Sequence, residues 1–334
     1  MEKTKEIVLS GIRPTGDLHL GNYFGAITNY VKMQSLFDCY FMVADLHSLT
    51  THPDTSGLKD HVKSVMATMI AAGVNPDNVA LYCQSQLRTT GELYLYLNML
   101  SYKGELEKTA TFKEKIRQHP DNINAGLLTY PVLMAADILI HRAKYVPVGK
   151  DQEQHLEMTR NFANRFNHRY GDVFPEPRAF NFNENLVKIP SLDGAGKMSK
   201  SVNENATIYL SDSDEVIRKK IMKAKTDAGP AAPHSEKPDY IQNIFLLMEL
   251  VSDEATIKDF EEKYNDCSIR YGDMKKQLAE DMVRFVSPIR QKIESIMSDQ
   301  SYLNKVMKEG AEKANAHADK TLDMVRKAMK LNYF

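Results

Sequence analysis

The chain has 334 residues, which is enough to bury a sizeable core and corresponds to about two domains by length alone. Its 43 basic and 44 acidic side chains nearly cancel, which argues against a histone-like attraction to nucleic acid but leaves room for a local basic patch. Three scattered cysteines favour a reducing compartment without structural zinc, and no membrane span or signal peptide is visible, so we expect a cytoplasmic protein.

The first unit of the chain combines an apolar strand, a loop with several glycines and a helix. Residues 7–9 (IVL) form an uninterrupted apolar run, as in a buried parallel strand, and a helix with one apolar face begins near Asn22. We expect this unit to place bare backbone N–H groups and the positive end of the helix dipole at the carboxyl edge of a sheet, where phosphates bind. The loop matches neither the dinucleotide fingerprint nor a P-loop.

Strands and helices alternate three times before residue 104. Asp45 and His47 follow the second strand, where we expect a loop. Alternation of this kind predicts a doubly wound parallel sheet with right-handed crossovers. After the first unit, strands are predicted at 39–44 and 79–83, and helices at 58–70 and 90–102.

A mostly helical insertion is predicted at about 104–143. It contains FKEK at 112–115 and a long apolar segment with a single acid, Asp137. An isolated carboxylate is costly to bury unless a donor satisfies it. Asp137 is therefore either a surface or capping residue, or an acceptor aimed at a ligand.

A further strand at 145–148 leads through Gly149 into a helix that opens at Asp151. Asp151 and His155 lie four residues apart and hence on one helix face. Asp151 is either a helix N-cap or part of a ligand site, and a metal there would need more ligands than the sequence supplies.

Residues 192–201 (LDGAGKMSKS) combine glycines, hydroxyls and two lysines, Lys197 and Lys200. A mobile phosphate-clamping loop needs these features, although a solvated basic turn would share them. Beyond Val202 the pattern becomes helical throughout. The helix at 216–225 carries five cations and no acid, and is either a solvated face or an RNA-contact surface.

Two motifs resemble the signatures of class I aminoacyl-tRNA synthetases, in the same order. They are HLGN at 19–22, close to the His-Ile-Gly-His signature, and the lysine loop KMSKS at 197–201. Within that class, nearly the whole chain is similar to the bacterial tryptophanyl-tRNA synthetases. The similar segments include GIRPTG, HLGNYFGA, GELEKTATFKEK, GLLTYPVLMAADIL and VPVGKDQEQHLEMTRNFANRFN.

The resemblance implies an α/β catalytic domain over residues 1–201, built on a Rossmann-like doubly wound parallel sheet. An all-helical tRNA anticodon-binding region would cover 202–334. It also implies activation of L-tryptophan by ATP with Mg²⁺ to tryptophanyl-adenylate, followed by transfer to the 2′-hydroxyl of the terminal adenosine of tRNA(Trp). The family is homodimeric, so we expect a homodimer.

The resemblance also implies residue roles. Asp137 would accept the indole N–H, and Tyr130 and Gln152 would hold the amino group. The implied catalytic residues are Lys115, Asp151, Lys197 and Lys200. The implied ATP contacts are Arg13, Thr15, Gly16, His19, Gly21, Asn22, Gly149, Asp151, Gln152, Lys197, Met198, Ser199 and Lys200. The implied tryptophan contacts are Leu9, Gly11, His47, Tyr130, Met134, Asp137, Val146, Val148 and Gln152.

Two positions depart from the family pattern. Arg13 stands where the family often has Gln, and Lys150 replaces the usual Glu of Gly-Glu-Asp-Gln, which affects the expected ATP contacts.

Three other functions compete with this interpretation. Tyrosyl-tRNA synthetases share the fold and a pocket carboxylate, but their lysine loop typically lacks the Met-Ser pair and they usually carry an extra C-terminal RNA-binding domain. A small-molecule nucleotidyltransferase would not need the long helical region after the lysine loop. A non-catalytic nucleic-acid-binding module would not need His19, Lys197 and Lys200 together.

Overall fold

The computed structural model describes residues 5–51, 54–118, 120–149, 152–180, 182, 189–198 and 203–333. A parallel five-stranded sheet with the order β3-β2-β1-β4-β5 lies at the centre of these residues. β1 and β2 pair along their whole length, from Ile7 opposite Asp38 to Ile12 opposite Val43. The strands are β1 (Ile7–Ile12), β2 (Asp38–Val43), β3 (Ala80–Cys83), β4 (Tyr145–Val146) and β5 (Arg178–Ala179).

Helices cover both faces of the sheet and form the C-terminal part of the chain. No helix in the described ranges is long and apolar enough to cross a membrane. The helices before the lysine loop are α1 (Leu20–Asn22), continued by a π-helical turn (Tyr23–Ile27), α2 (Thr28–Leu36), α3 (Asp45–Ser48), α4 (Leu58–Ala71), α5 (Arg88–Met99), α6 (Lys103–Leu106), α7 (Ala110–Gln118), α8 (Ala125–Ile140) and α9 (Glu153–Tyr170). The later ones are α10 (Asp214–Met222), α11 (Asp239–Val251), α12 (Glu254–Asn265), α13 (Tyr271–Ser298) and α14 (Gln300–Ala328).

Alternate residues of the central strands divide the core into two layers. Phe41 and Val43 point to the face covered by α2, α4 and the C-terminal helices α10 to α13. Tyr40 and Met42 point to the face covered by α5, α8 and α9. Because successive side chains of a strand alternate between faces, one apolar run supplies both layers.

The crossovers change face between β1 and β4. α2 and α4, which connect β1 to β2 and β2 to β3, pack on one face, whereas the helices between β3, β4 and β5 pack on the other. Such a switch point opens a crevice at the carboxyl ends of the two strands, where ligands of open α/β sheets bind.

The predicted doubly wound parallel sheet is confirmed, and three details differ. Asp45 begins the short helix α3 instead of a loop, because the chain turns directly after β2. β4 ends at Val146, two residues earlier than expected. β5 was not predicted, since Arg178 and Ala179 are exposed and carry no apolar pattern.

The predicted domain boundary at 201/202 lies outside the described residues, and the core of α10 to α13 is continuous with that of α4.

The C-terminal helix α14 covers the edge strand β3. Its small residues Ala311, Ala314 and Ala318 are buried on the layer that contains Tyr82. At Gly310 the helix lies so close that an added β-carbon would overlap the carbonyl oxygen of Leu81 and lie 2.6 Å from its carbonyl carbon. This contact covers a strand edge that would otherwise be open to pairing with another chain.

We expect Gly310→Ala to lower the free energy of unfolding by about 1–3 kcal/mol, because the methyl group forces α14 away from the backbone of β3. Gly272→Ala in α13 is the matched control. An added methyl group there meets no described atom within 4 Å outside its own helix, so the change should be neutral or stabilising. Urea titrations of both variants measure the difference, and equal midpoints would contradict the close approach.

Candidate active site

A cavity of about 780 Å³ opens at the carboxyl ends of β1 and β4, at the switch point of the sheet. Helices α3, α7 and α8 supply its other walls. It therefore collects side chains from the first strand, the insertion and the segment after β4. All nine of the predicted tryptophan contacts line it, namely Leu9, Gly11, His47, Tyr130, Met134, Asp137, Val146, Val148 and Gln152.

Asp137 is the buried acceptor of this cavity and is 2 % exposed. Its Oδ2 lies 2.9 Å from Nε2 of His47 and accepts a hydrogen bond from Nε2 of Gln84 at 2.8 Å. Because a carboxylate only accepts, the His47 tautomer in this contact carries its proton on Nε2. Two protein donors thus offset part of the cost of burying the charge, and no described residue donates a hydrogen bond to the other oxygen, Oδ1.

Gln84 was missed in the sequence because a glutamine after a strand resembles an ordinary turn residue. It follows β3 directly, and its side-chain oxygen also accepts a hydrogen bond from the backbone N–H of His47 at 3.2 Å. The only signal that could have found it is its place at the carboxyl edge of the sheet, beside the ends of β1 and β2.

Tyr130 lies between two histidines at the cavity wall. Its ring makes edge contacts with His47 and His155, at centroid distances of 4.9 and 5.3 Å. Nδ1 of His155 is 2.9 Å from Oε1 of Gln152, which also lines the cavity. Tyr130 and Gln152 are therefore held in place beside the buried carboxylate.

His19 caps the first turn of α1. Nδ1 of its ring accepts a hydrogen bond from the backbone N–H of Gly21 at 3.0 Å. The backbone N–H of His19 donates to Oδ1 of Asn22 at 3.0 Å. A β-carbon at position 21 would lie 2.8 Å from the imidazole ring, so only glycine allows this approach. Because Nδ1 is the acceptor, the ring proton resides on Nε2.

The expected bare backbone N–H groups of this turn are absent from residues 20–23. The N–H of Leu20 bonds to the carbonyl of Ile208 at 3.1 Å, and those of Asn22 and Tyr23 bond to the carbonyl of His19. The remaining one, that of Gly21, bonds to the His19 ring. An anion here would therefore meet side-chain donors, chiefly Nε2 of His19, within the field of the helix dipole.

The chain segment after the lysine loop closes this turn. Leu18 and Leu20 exchange backbone hydrogen bonds with Leu210 and Ile208, at 3.0 and 3.1 Å. A β-carbon at Gly21 would be 3.7 Å from the carbonyl oxygen of Met198. The structure thus brings the HLGN turn and the start of the lysine loop together.

The remaining predicted residues fall into three groups. Arg13, Thr15, His19, Asn22, Lys115 and Gly149 line the cavity. Four others, Gly16, Gly21, Lys197 and Met198, are absent from its described lining; Met198 is buried in the core and Lys197 is exposed. Asp151, Ser199, Lys200 and the departing residue Lys150 lie outside the described residues.

The cavity offers two chemically different surfaces. Leu9, Val146 and Val148 form an apolar surface beside the Asp137 acceptor, which suits an aromatic ring with an N–H group. Neutral His19 and the cation of Lys115 are donors suited to an anion. Among the described residues, no group of three or more His, Cys, Asp or Glu side chains could hold a metal ion.

Comparison with known proteins gives consistent results. The profile of the family described as tRNA synthetases class I (W and Y) matches residues 1–287. The tryptophan–tRNA ligase of Porphyromonas gingivalis is 54% identical over 322 residues, which cover 96% of this chain and 98% of that protein. The ligase of Clostridium acetobutylicum is 39% identical over 331 residues, covering 98% of each chain.

A solved structure is similar over the same length. The tryptophanyl-tRNA synthetase of Campylobacter jejuni, complexed with ADP and tryptophan, has a TM-score of 0.87 and 32% identity. The match covers 97% of this chain and 99% of that one.

Burial lowers the pKa of His19 to about 4, from an ordinary value of 6.5. We expect His19 to be neutral, with its proton on Nε2, from pH 8 to about pH 5. Because the unfolded state takes up the proton first, His19 should contribute full stability above pH 6.5 and lose it as the pH falls towards 4. Nitrogen NMR of protein with isotope-labelled histidine measures the tautomer and the pKa of each ring. The signal that is missing from the spectrum of the His19→Gln variant belongs to His19. A proton on Nδ1, or a pKa near 6.5, would contradict the capping geometry.

Proposed function

This chain belongs to the class I tRNA synthetases for tryptophan and tyrosine, and we propose that it joins L-tryptophan to tRNA(Trp) using ATP. In the first step, a carboxylate oxygen of tryptophan attacks the α-phosphorus of ATP, and the bond to the bridging oxygen breaks as pyrophosphate leaves. In the second, the 2′-hydroxyl of the terminal adenosine attacks the carbonyl carbon and AMP leaves. The observation that supports tryptophan is the buried Asp137 carboxylate in an apolar cavity.

The first step builds negative charge on the phosphate oxygens and the leaving pyrophosphate. Positioned neutral or cationic donors stabilise such charge best. We assign this role to Nε2–H of His19 and to Lys115, which line the cavity. Lys197, together with Ser199 and Lys200, would close over the pyrophosphate. Mg²⁺ enters as part of the ATP substrate, as is common for this strongly hydrated ion.

Selection of tryptophan follows from the hydrogen bonds of Asp137. Both of its protein donors end on Oδ2, which leaves Oδ1 as the acceptor for an indole N–H. A ring without that N–H would leave Oδ1 buried and unpaired. Sites built on such a bond can reject the deficient analogue by about 10⁴–10⁵ in the best cases.

Amino-acid-dependent ATP–pyrophosphate exchange tests the function. We expect exchange with L-tryptophan and none with tyrosine or phenylalanine. The chain contains no tryptophan, so with excitation at the red edge of indole absorption only the added substrate fluoresces. The fluorescence emission spectrum of the added tryptophan should shift as it enters the apolar cavity. Exchange with tyrosine but not tryptophan would assign the chain to the tyrosyl enzymes instead.

Asp137→Asn tests the acceptor with a side chain of nearly the same shape. The two donors on Oδ2 should turn the amide oxygen towards them, so that its NH₂ group opposes the indole N–H. We expect the preference for tryptophan over benzothienylalanine to fall by about 10²-fold or more, while ATP affinity is unchanged. An unaltered preference would mean that Asp137 does not select the substrate.

The helix α10 supports a narrower tRNA-contact surface than the sequence predicts. Lys220 forms an internal ion pair with Asp212 at 2.7 Å and donates to the carbonyl of Thr207. Arg218 pairs with Glu280 at 2.7 Å. Lys219 and Lys223 are exposed. We propose that these two lysines contact tRNA phosphates within the helical region 202–334.

The double variant Lys219→Ala, Lys223→Ala should weaken tRNA binding and reduce the slope of log affinity against log salt by roughly one unit per lysine. Exchange without tRNA should be unchanged. Lys220→Ala serves as the contrast, because losing its ion pair should disturb the segment that closes the HLGN turn and lower exchange itself. A double variant with the wild-type salt slope would place the tRNA elsewhere.

We propose that the chain forms a homodimer in the cytoplasm. Support comes from apolar side chains exposed on one side of α5: Leu95 and Met99 are 51 % and 70 % exposed, and Tyr102 follows at 64 %. Leu95 and Met99 lie four residues apart and hence on one face of α5, Tyr102 lies beyond the end of that helix, and a second copy would remove all three from water.

A further inference from the structure

Gln84 lies behind the cavity wall in a short turn (Gln84–Gln86) directly after β3. Its side chain is 1 % exposed and is not among the described residues that line the cavity. The neighbouring Ser85 fixes this turn to α3, because its backbone N–H and hydroxyl donate to the two carboxylate oxygens of Asp45 at 2.9 and 2.5 Å. Gln84 therefore projects from a backbone that is anchored to β3, which it directly follows, and to α3 through Ser85.

The orientation of the Gln84 amide is fixed by chemistry. Its partner at 3.2 Å is the backbone N–H of His47, which can only donate, so Oε1 must face it. Its other partner at 2.8 Å is Oδ2 of Asp137, which as a carboxylate can only accept, so Nε2 must face that atom. A single amide thus joins the helix that carries His47 to the carboxylate on α8.

This bridge determines which oxygen of Asp137 remains for a ligand. Nε2 of Gln84 and Nε2 of His47 converge on Oδ2 and hold the carboxylate plane from two directions. Rotation of the carboxylate would break both bonds in a site where the loss is costly. Oδ1 then stays directed at the cavity, with no donor from the described residues.

We propose that Gln84 is a positioning residue for amino-acid selection, which aims Oδ1 of Asp137 at the indole N–H without touching the substrate itself. This inference rests on the proposed tryptophan activation. It predicts that the hydrogen-bond donor at position 84, and not merely its volume, sets the Michaelis constant for tryptophan.

Gln84→Glu isolates the donor, because the two side chains have nearly the same shape. When protonated, Glu at this position can donate O–H to Oδ2 of Asp137 and accept from His47, as the amide does. When ionised, it places a second carboxylate against Asp137, which repels it and removes the donor. Two carboxylates at hydrogen-bond distance share one proton, so that shared proton is lost at a pH above the ordinary range of glutamate.

Other titratable groups surround this pair. They are His47 and Asp45 on α3, Tyr82 and Cys83 on β3, and Tyr130 on α8. Protonation changes at these groups that do not depend on the charge at position 84 cancel in the ratio of the Michaelis constants of variant and wild type. Gln86→Glu is the matched control, since it makes the same substitution two residues away, at an exposed side chain that accepts from the backbone N–H of Cys83.

The experiment measures ATP–pyrophosphate exchange at saturating ATP with varied L-tryptophan, from pH 6.0 to 8.5. For Gln84→Glu, the KM ratio to wild type should be close to one at pH 6.0 and rise at least about tenfold by pH 8.5, with kcat nearly constant. Gln86→Glu should give a flat ratio. A ratio near one up to pH 8.5 for Gln84→Glu together with an unchanged KM for the uncharged Gln84→Met, the same slope for Gln86→Glu, or a fall in kcat at constant KM would each overturn the proposal.

Gln84→Met provides a second test if the glutamate variant does not fold. It keeps the volume but removes both hydrogen bonds, so KM for tryptophan should rise about tenfold or more at every pH, and rejection of benzothienylalanine should weaken. An unchanged KM would overturn the positioning role. If the wild type shows no tryptophan-dependent exchange, the proposed function fails first; if it does and only the Gln84 variants disagree, the failure belongs to this inference alone.

Discussion

A charged carboxylate inside an apolar helix is tolerable only if donors from elsewhere reach it, and this constraint organises the cavity. Asp137 on α8 is met by His47 from the helix after β2 and by Gln84 from the turn after β3. Removing one donor would leave a buried charge partly unpaired. The position of the insertion is thereby coupled to the ends of β2 and β3, and the apolar side of the cavity lies beside that coupling.

The second part of the cavity depends on a different long-range contact. If the HLGN turn stood alone, it would expose the backbone N–H of Leu20, since those of Gly21, Asn22 and Tyr23 bond to His19. The segment at 207–210 pairs with the turn through backbone hydrogen bonds. The His19 ring is held by the hydrogen bond that its Nδ1 accepts from the backbone N–H of Gly21. Lys220 supports that segment through Asp212 and Thr207. The turn that carries His19 is therefore closed by residues that lie beyond the lysine loop in the sequence.

The C-terminal helices also have a structural role beside the sheet. α13 packs in the same core as α4, and α14 lies on the edge strand β3 through Gly310 and three alanines. β3 carries Gln84 at its end, so the strand that α14 covers is also the strand that supports the carboxylate. β3 therefore links the packing that stabilises the edge of the sheet to the geometry of the cavity.

Apolar runs of the sequence determined β1, β2 and β3, because burial on both faces requires an uninterrupted pattern that can be recognised locally. The first strand and the turn after it placed His19 at the carboxyl edge of the sheet, whereas Lys115 and Asp137, on helices of the insertion, were assigned to the same site only by the family resemblance. Other features were decided only by tertiary structure. β5 exists because Arg178 and Ala179 pair with β4, not because they are apolar.

The bridge from Gln84 to Asp137 spans 53 residues, and that from His47 to Asp137 spans 90. Likewise, the internal pairing of Lys220 could not be told from a solvated charge in the sequence. Periodicity reports how each element is buried, but a hydrogen-bond partner is chosen by how separate elements pack. The sequence alone therefore determined the sheet and the kinds of residue at its edge, while packing decided which donor meets which acceptor.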